Sequence, residues 1–459
     1  MQPLSGSDTL ICNQFFTIIR DTLVMLLNSL NLKQSNVKAG TINLPGSKSI
    51  SNRVLLISAL GFGEIVIKNL LFSDDTKVML TALKKLGVKI EHNEALKECT
   101  IVGCNNSFPN KNCELYVGNA GTAIRPLTAC LAFNGGKYKI SGTSRMHERP
   151  IGDLVASLNN IGAKIEYAQV KEYPPLIINP SVISNQKLSI RGDVSSQFLT
   201  SLLIASPILS KKNKLEIQVK GTLISKPYVN ITLQLLNFFG LKIFEDKNNN
   251  FLIKENQTYS NPKEIYIEGD ASSATYFLSA AALSGKLIRV NGVGNKSIQG
   301  DIKFIEILTR MGAEIKMGED WIEVRANKQL IAIDDDFNDI PDAAMTVAIL
   351  ALYAKGKTVI RNIGSWRVKE TDRLTAMAVE LSKLGAQVTE GEDFLEIESP
   401  TELNDATIDT YDDHRMAMCF SLASLNSDFK KGANIVINDP NCVNKTFPNY
   451  FKILNTIIE

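Results

Sequence analysis

The chain has 459 residues, of which 44% are hydrophobic and 21% charged, and its formal net charge is +2. This composition is typical of a globular protein with a large core, and the length favours two domains or one large repeat assembly. A nucleic-acid or membrane surface would need a strongly basic face, so we expect neither kind of partner.

The N-terminal residues carry no recognisable targeting signal. The apolar stretch at 15–27 is interrupted by Arg20 and Asp21 and is too short to span a bilayer. We expect residues 1–26 to be a poorly ordered extension. The chain has seven cysteines without C-x-x-C spacing and three histidines. This pattern predicts reduced thiols, a cytoplasmic location and no metal site.

The first informative stretch is LPGSKSISNR at 44–53. It ends an extended segment, turns at Pro45-Gly46 and opens an apolar helical run at 54–60. Lys48, Ser49 and Arg53 therefore fall on the first turns of a helix, where free backbone N–H groups and the helix dipole favour an anion. A helix cap followed by solvated charges is the alternative interpretation of this stretch alone.

One sequence element recurs along the chain and predicts its architecture. The pattern L-x-x-apolar-G-apolar-x-apolar has its glycine at positions 87, 162, 240, 312 and 385. Each copy is typical of an amphipathic helix that ends at a glycine and is followed at once by a strand. A second, more apolar helix with a Gly-, Ser- or Asp-rich start precedes each copy. We therefore predict six β-α-β-α-β-β units of about 70–77 residues.

The sixth unit is shorter than the others, because its second helix, predicted at 447–458, ends the chain. The segment 29–37 could supply the missing strand. Six units predict an α/β fold of two domains, each with three units in pseudo-threefold arrangement around buried helices. We place the first domain at 47–267, the second at 27–46 plus 268–459, and the active site in the cleft between them.

Polar residues collect at the predicted helix starts. Singly, each is explained as a cap or a surface charge, but several helix starts facing one cleft would form a pocket for multiply charged anions. The residues at the first helix of the units are Lys48, Ser49, Arg53, Asn119, Gly121, Thr122, Ser195, Ser196, Gln197, Asp342, Asp413, His414 and Arg415. Those at the second helix are Arg149, Ser225, Lys226, Tyr228, Lys369, Glu370, Arg373 and Lys445.

Two carboxylates stand among these basic residues. Asp342 follows Pro341 at a helix start, and Glu370 lies three residues before Arg373. Capping by Asp342 and an i,i+3 ion pair of Glu370 would be structural explanations. The functional hypothesis is that they form a general base and a general acid whose environments differ.

Ten strings in this order resemble the 5-enolpyruvylshikimate-3-phosphate (EPSP) synthase family, and the resemblance extends from about residue 28 to the end. It implies an inside-out α/β barrel fold of two domains that close on 3-phosphoshikimate and phosphoenolpyruvate, with no metal or organic cofactor. The strings are LPGSKSISNR (44–53), GNAGTAIRP (118–126), RMHERPIG (145–152), DVSSQFLTSLL (193–203), SKPYVNIT (225–232), EGDASSA (268–274), IPDAAMT (340–346), WRVKETDR (366–373), YDDHRMAMCFSL (411–422) and NKTFPNYF (444–451).

The resemblance also implies roles for individual residues. Asp342 would take the proton of the attacking 5-hydroxyl, and Glu370, with Lys48 as partner, would protonate the enol methylene. The reaction would be an addition–elimination through a noncovalent tetrahedral intermediate. The implied 3-phosphoshikimate contacts are Lys48, Ser49, Arg53, Ser195, Ser196, Gln197, Ser225, Tyr228, Asp342, Ser365 and Lys369. The implied phosphoenolpyruvate contacts are Lys48, Gly121, Arg149, Gln197, Arg373, Arg415 and Lys445.

Two positions bear on specificity. Ser365 stands where some family members have Asn, so its contact with the substrate phosphate is direct, water-mediated or absent. Gly121, Thr122 and Pro126 match the glyphosate-sensitive pattern of the family. We therefore expect glyphosate to compete with phosphoenolpyruvate.

Two other functions compete with this interpretation. An enolpyruvyl transferase acting on UDP-N-acetylglucosamine typically has a reactive cysteine in the loop over the donor, and the loop at 141–152 has none. A catalytically inactive anion-binding paralogue would not need both Asp342 and Glu370.

We expect the protein to be a monomer.

Overall fold

The computed structural model describes residues 29–459, so the expected extension at 1–26 lies outside the described residues. The strands are β1 (Ser29–Leu32), β2 (Gly40–Asn43), β3 (Glu64–Lys68), β4 (Lys89–Asn93), β5 (Glu98–Val102), β6 (Asn112–Tyr116), β7 (Lys137–Ser141), β8 (Lys164–Tyr167), β9 (Leu176–Asn179), β10 (Lys187–Arg191), β11 (Leu215–Lys220), β12 (Ile243–Glu245), β13 (Phe251–Ile253), β14 (Glu264–Tyr266), β15 (Ile288–Asn291), β16 (Glu314–Met317), β17 (Trp321–Arg325), β18 (Asp334–Asp336), β19 (Lys357–Arg361), β20 (Gln387–Glu390), β21 (Leu395–Glu398), β22 (Ala406–Ile408) and β23 (Ile435–Asn438).

The helices alternate with these strands. The α-helices are α1 (Lys48–Leu60), α2 (Asp74–Lys85), α3 (Gly121–Leu131), α4 (Gly152–Asn160), α5 (Ser196–Leu209), α6 (Lys226–Phe238), α7 (Ala271–Ser284), α8 (Phe304–Arg310), α9 (Pro341–Ala351), α10 (Arg373–Lys383), α11 (His414–Ser421) and α12 (Tyr450–Leu454). Short 3-10 helices span Arg145–Glu148, Gly300–Lys303, Gly364–Val368, Leu422–Ser424, Pro440–Lys445 and Asn455–Ile457.

The described residues form six small sheets, and five of them share one topology. Five have four strands, in the orders β14-β3-β5-β4, β6-β7-β9-β8, β10-β11-β13-β12, β2-β15-β17-β16 and β18-β19-β21-β20. In each of them the first pair is parallel and the two following pairs are antiparallel. In the sheets β6-β7-β9-β8, β10-β11-β13-β12 and β18-β19-β21-β20 a helix connects the two parallel strands, and in all five sheets the last antiparallel pair consists of consecutive strands. The predicted β-α-β-α-β-β repeat is therefore confirmed, and the sheets remain separate.

The sixth sheet has the order β1-β23-β22. Here β1 runs antiparallel to β23, with Ser29 opposite Asn438 and Leu32 opposite Ile435. The prediction that segment 29–37 supplies a strand to the shortened last unit is confirmed. The last helix is shorter than predicted, since α12 ends at Leu454 and a 3-10 turn follows.

Two hydrophobic cores organise the chain, and we call the part around each core a lobe. The core of the first lobe runs from Ile50 to Ile267, and that of the second comprises apolar residues at 37–44 and 271–457. Helices α7 and α9 lie at the centre of the second lobe, with every residue of α7 and all of α9 except Asp342 buried. Burial on all sides explains why these helices have apolar residues around their whole circumference. The fold is the predicted two-domain inside-out α/β architecture, with helices inside and sheets outside.

Within residues 29–459 the chain passes between the lobes twice, through two segments that lie side by side. Strand β2 belongs to a second-lobe sheet and is followed by α1 of the first lobe, whereas β14 belongs to a first-lobe sheet and is followed by α7 of the second. Between the crossings, Ser47 N donates to Glu268 O at 2.8 Å and Asp270 N donates to Pro45 O at 2.9 Å. Gly46 is required there, because a Cβ would collide with the backbone oxygen of Asn69.

Among residues 29–459, no helix combines the length and the hydrophobicity that a transmembrane span requires.

Candidate active site

A cavity between the two lobes is lined by residues from both. The first lobe contributes Lys48, Ser49, Arg53, Asp75, Gly121, Thr122, Arg125, Arg149, Pro150, Val194, Ser195, Ser196, Gln197, Ile224, Ser225 and Tyr228, and the second contributes Asp342, Ser365, Val368, Lys369, Glu370, Arg373, His414 and Arg415. Of the residues predicted from the sequence to bind substrate, only Lys445 is outside this lining. The cavity therefore collects residues that are up to 367 positions apart in the sequence.

The start of α1 presents Lys48, Ser49 and Arg53 as the sequence predicts. Arg53 is held by three donated hydrogen bonds, to Thr232 Oγ1 at 2.8 Å, to Ser49 O at 2.9 Å and to Tyr228 O at 3.2 Å. Burial lowers the pKa of Arg53 to about 10, so the guanidinium is still charged at neutral pH. Its orientation is fixed by the first lobe before any ligand binds.

Arg373 is the centre of the second-lobe side and contacts three carboxylates. Its guanidinium donates to Asp342 Oδ1 at 2.9 Å, to Glu370 Oε2 at 2.9 Å and to Asp413 Oδ2 at 2.7 Å. The side chain is only 1% exposed. Five N–H donors in a rigid plane suit an arginine to such a shared position, because a lysine ammonium could not maintain the same fork geometry.

Asp342 is held between cations. Its second oxygen accepts from Arg415 Nη2 at 2.8 Å, and Lys369 Nζ lies 3.5 Å from the first. Burial would raise the pKa of Asp342, but Arg415, Lys369 and Arg373 outweigh it and hold this pKa well below the usual range. Asp342 is therefore an ionised carboxylate at neutral pH, which is the state that a proton acceptor requires.

Glu370 faces the other lobe. Besides its bond to Arg373, its Oε1 lies 3.9 Å from Arg149 Nη1 of the first lobe. Burial would raise the pKa of Glu370, but Arg373, Arg149 and Lys445 together hold it well below the usual range. Glu370 is therefore ionised like Asp342, and the predicted difference between the two environments is not seen.

Lys445 reaches the rim of the cavity through Asp75. Its Nζ donates to Asp75 Oδ1 at 2.8 Å and to Asn119 O at 2.8 Å, and Lys48 Nζ lies 3.5 Å from the other oxygen of Asp75. Asp75 thus bridges one lysine from each lobe. The sequence analysis did not identify Asp75, although its place in the first turn of α2 is the same kind of helix-start signal.

Arg125 is the second residue that the sequence analysis missed. It lies in the middle of α3, where an arginine in an apolar helix is conspicuous, and its Nη1 donates to Gln197 Oε1 at 2.6 Å. Burial, with Arg149 nearby, lowers the pKa of Arg125 to about 9, so it remains cationic at neutral pH. Gly121 lies against this pair, because an added Cβ would collide with Arg125 Nη1.

The prediction that all of the charged site residues lie at the starts of α-helices is wrong for some of them. Ser196, Asp342 and Arg415 do lie in the first turn of an α-helix. Arg149 and Lys369, however, follow the ends of 3-10 helices, Glu370 lies in the turn before α10, and Lys445 ends a third 3-10 helix. These residues face the cavity because of tight turns inserted before the second helix of a unit, and not because of a helix dipole.

Tyr228 connects the cavity to a buried carboxylate of the second lobe. Its hydroxyl donates to Asp301 Oδ1 at 3.2 Å, and Ser272 Oγ also donates to Asp301. Asp301 is 4% exposed. Burial, assisted by the negative charge of Asp342, raises the pKa of Asp301 to about 6.

The raised pKa of Asp301 predicts a pH-dependent gain in stability on Asp301→Asn. The folded protein binds this proton more tightly than the unfolded chain, whose pKa is near 3.9, so the aspartate destabilises the fold increasingly as pH rises from about 4 to 6. We expect Asp301→Asn to raise the free energy of unfolding by up to about 3 kcal/mol above pH 6. The gain should vanish below about pH 4, and urea unfolding at several pH values measures it. An equal gain at pH 4 and pH 8 would contradict the assignment.

The cavity has a marked cationic excess. Its lining has seven lysine and arginine side chains but three carboxylates. Among the described residues, the Nε atoms of Arg125, Arg149 and Arg415 are buried and have no acceptor within the protein. A buried polar group left unsatisfied costs about 1–3 kcal/mol, so such donors indicate a site that is completed by an anionic ligand. No group of three or more His, Cys, Asp or Glu in residues 29–459 could hold a metal ion.

The fold and this cavity define a two-lobed α/β protein that binds small polyanions between its lobes. The sequence matches the EPSP synthase (3-phosphoshikimate 1-carboxyvinyltransferase) family over residues 32–454. The chain belongs to that family.

Individual relatives and a solved structure agree with the family match. The chain is 55% identical over 430 residues to a 3-phosphoshikimate 1-carboxyvinyltransferase of Herminiimonas arsenicoxydans, covering 94% of this chain and 97% of the relative. It is 56% identical over 421 residues to the protein of that name in Paraburkholderia phytofirmans, covering 90% and 95%. An EPSP synthase structure from Acinetobacter baumannii superposes with a TM-score of 0.76 at 25% identity, covering 94% of this chain and 98% of that one.

Proposed function

We propose that this chain transfers the enolpyruvyl group of phosphoenolpyruvate to the 5-hydroxyl of 3-phosphoshikimate. The products are 5-enolpyruvylshikimate 3-phosphate and inorganic phosphate, and the reaction belongs to the biosynthesis of chorismate and the aromatic amino acids. The convergence of Lys48, Arg149, Asp342, Glu370 and Arg415 on one cavity between the lobes is the observation that carries the proposal. The identity of 55% to named 3-phosphoshikimate 1-carboxyvinyltransferases supports it independently.

The charge of the site fits two such substrates. Each carries a phosphate of about −1.5 to −2 charges and one carboxylate, so the pair brings about five to six negative charges. The cavity offers an excess of four positive charges, and Lys445 lies at its rim. We assign 3-phosphoshikimate to Lys48, Ser49, Arg53, Ser195, Ser196, Gln197, Ser225, Tyr228, Asp342, Ser365 and Lys369. We assign phosphoenolpyruvate to Lys48, Gly121, Arg149, Gln197, Arg373, Arg415 and Lys445.

In the proposed reaction the 5-hydroxyl oxygen of 3-phosphoshikimate attacks C2 of phosphoenolpyruvate, and Asp342 accepts the proton of that hydroxyl. Glu370 donates a proton to C3 in the same step, which gives the tetrahedral intermediate. The tetrahedral intermediate then returns a proton from C3 to the Glu370 carboxylate and expels phosphate, which takes up the proton held by Asp342. The enol double bond is thereby restored, and both carboxyl groups return to their starting states. Glu370 must be protonated for the first step. Binding of the phosphoenolpyruvate anion near Arg149 and Arg373 would neutralise the cations that hold its pKa down, so the substrate itself would prepare the acid.

A phosphate-release assay with two acceptors tests the proposal. Phosphoenolpyruvate with 3-phosphoshikimate should release phosphate, and phosphoenolpyruvate with UDP-N-acetylglucosamine should not. Release with UDP-N-acetylglucosamine alone would make the chain a transferase of the alternative class. Binding of both anions without release would make it an inactive paralogue.

Gly121→Ala should weaken phosphoenolpyruvate binding and glyphosate inhibition together. The new methyl group would lie 3.0 Å from Arg149 Nη2 and 3.0 Å from Gln197 Oε1, and would collide with Arg125 Nη1. Overpacking typically costs about 1–3 kcal/mol, so the KM for phosphoenolpyruvate should rise about 5- to 150-fold. In the unmodified chain, steady-state kinetics should show glyphosate competing with phosphoenolpyruvate. Unchanged turnover of the unmodified chain at millimolar glyphosate would contradict the expected competition.

We also propose domain boundaries at 46/47 and 267/268. They are supported by the two cores and by the exchanged partners of β2 and β14. We also propose that the chain is a monomer and has no nucleic-acid partner, and the second of these proposals is supported by the net charge of +2. The six cysteines of the described residues are all free thiols, which supports a cytoplasmic location.

A further inference from the structure

Arg145 joins the two lobes without lining the cavity. It begins the 3-10 helix of the first lobe, and its side chain is 30% exposed. Across the cleft its Nε donates to Glu370 O at 2.9 Å and its Nη2 donates to Lys369 O at 3.1 Å. The third edge of the guanidinium donates to Glu148 Oε2 at 2.9 Å within the same 3-10 helix. One planar group therefore binds two consecutive main-chain carbonyls of the other lobe.

Both ends of this connection are anchored in a hydrophobic core. On the first-lobe side, Met146 is fully buried in the core directly after Arg145. On the second-lobe side, Trp366 is fully buried, donates from Nε1 to Pro341 O at 2.7 Å and accepts from Lys369 N. A contact between two anchored turns constrains how the lobes sit on each other far more than a contact between two mobile loops.

The two carbonyls belong to residues whose side chains face the cavity. The peptide groups of 369 and 370 determine where the Cα–Cβ bonds of Lys369 and Glu370 point. Lys369 Nζ lies 3.5 Å from Asp342 Oδ1, and Glu370 Oε2 lies 2.9 Å from Arg373 Nη2. A displacement of about 1 Å in such a group can cost about 100-fold in rate. The main-chain bonds from Arg145 thus act on the geometry of the reacting groups from outside the cavity.

We propose that Arg145 is a positioning residue for enolpyruvyl transfer, which fastens the closed lobes and sets the directions of Glu370 and Lys369 through their main-chain carbonyls. The inference rests on the proposed function and deepens it. Lysine can replace the charge but not the fork of two parallel N–H groups. Arg145→Lys therefore separates the geometry of the contact from its charge.

The matched control is Glu148→Gln. It removes the ion pair of Arg145 within the 3-10 helix but leaves both bonds across the cleft. We expect Arg145→Lys to lower kcat about 10- to 100-fold, a range in line with the cost of a small misplacement. Glu148→Gln should stay within threefold of the unmodified chain. An Arg145→Lys enzyme with kcat also within threefold would overturn the proposal.

A double-variant cycle distinguishes positioning from a merely structural role. If Arg145 acts through Glu370, Arg145→Lys should lower kcat by less than threefold in a Glu370→Gln background. A full 10- to 100-fold loss in that background would show that Arg145 does not act through Glu370, and the proposal would fall.

Small-angle scattering with phosphoenolpyruvate and 3-phosphoshikimate tests the fastening of the lobes. The radius of gyration of Arg145→Lys should exceed that of Glu148→Gln under the same conditions, and equal values would overturn this part of the proposal. Phosphate release by the unmodified chain distinguishes a failure of the proposed function from a failure of the proposal for Arg145. Absence of phosphate release from it would refute the proposed function, whereas scattering depends on closure and not on turnover.

Discussion

Asparagine in place of Asp342 should lower kcat by about 10²- to 10⁴-fold, the range that a positioned general base contributes. The amide has the shape of the carboxylate but cannot accept the proton of the 5-hydroxyl. Arg373 keeps its bonds to Glu370 and Asp413, so the fold and the binding of 3-phosphoshikimate should remain measurable. Phosphate release gives the rate, and isothermal titration with 3-phosphoshikimate gives the affinity.

The control for this variant is Asp339→Asn, three residues earlier in the chain. Asp339 is 44% exposed and pairs with Lys303 at 2.6 Å outside the cavity. Its replacement should leave kcat within twofold. If Asp342→Asn retained more than a tenth of the activity, Asp342 would not be the base, and the acceptor would have to be sought elsewhere in the cavity lining.

Glu370→Gln should lower kcat at least about 10²-fold, because glutamine cannot donate the proton that C3 needs. The pH profile carries a second signature. In the unmodified enzyme, kcat should fall towards alkaline pH as Glu370 loses its proton in the ternary complex, and that fall should be missing from the residual activity of Glu370→Gln. Steady-state rates at saturating substrates across pH 5–9 would show both effects.

Glu396→Gln is the matched control for the second variant. Glu396 pairs with Lys357 at 2.8 Å at the surface of the second lobe, and its side chain is 27% exposed. Glu370→Gln and Glu396→Gln each remove one carboxylate charge, but only Glu370 lines the cavity. We therefore expect only Glu370→Gln to lower kcat. An alkaline fall that persisted unchanged in Glu370→Gln would assign the titration to another group.

The sequence predicted the repeat and the convergence of the site because both have local signals. A glycine that ends a helix and a charged residue at a helix start are visible within a few residues of chain, and the five copies of the glycine element reinforce each other. Asp75 also lies at a helix start and Arg125 is conspicuous in an apolar helix, but the sequence does not show that Asp75 pairs with Lys445 or that Arg125 pairs with Gln197.

The protonation states could not be predicted from the sequence. Whether Glu370 is an acid or a carboxylate depends on the balance between burial and the cations within a few ångströms, and those cations come from both lobes. The 3-10 turns that carry Arg149, Lys369 and Lys445 were missed for a related reason. Their backbone path is determined by tertiary packing, such as the burial of Trp366, more than by local propensity.

The pairing of the first strands with late strands dictates an order of events while the chain is being synthesised. Strand β1 finds its partner at Ile435–Asn438, and β2 finds its partner at Ile288–Asn291. A nascent chain can complete the first lobe once β14 has left the ribosome, whereas its own leading strands must wait, unpaired, for segments made much later. The half of the protein that carries Asp342 and Glu370 is thus the last to be assembled, and a chain that stops before Ile435 lacks the partner of its own strand β1.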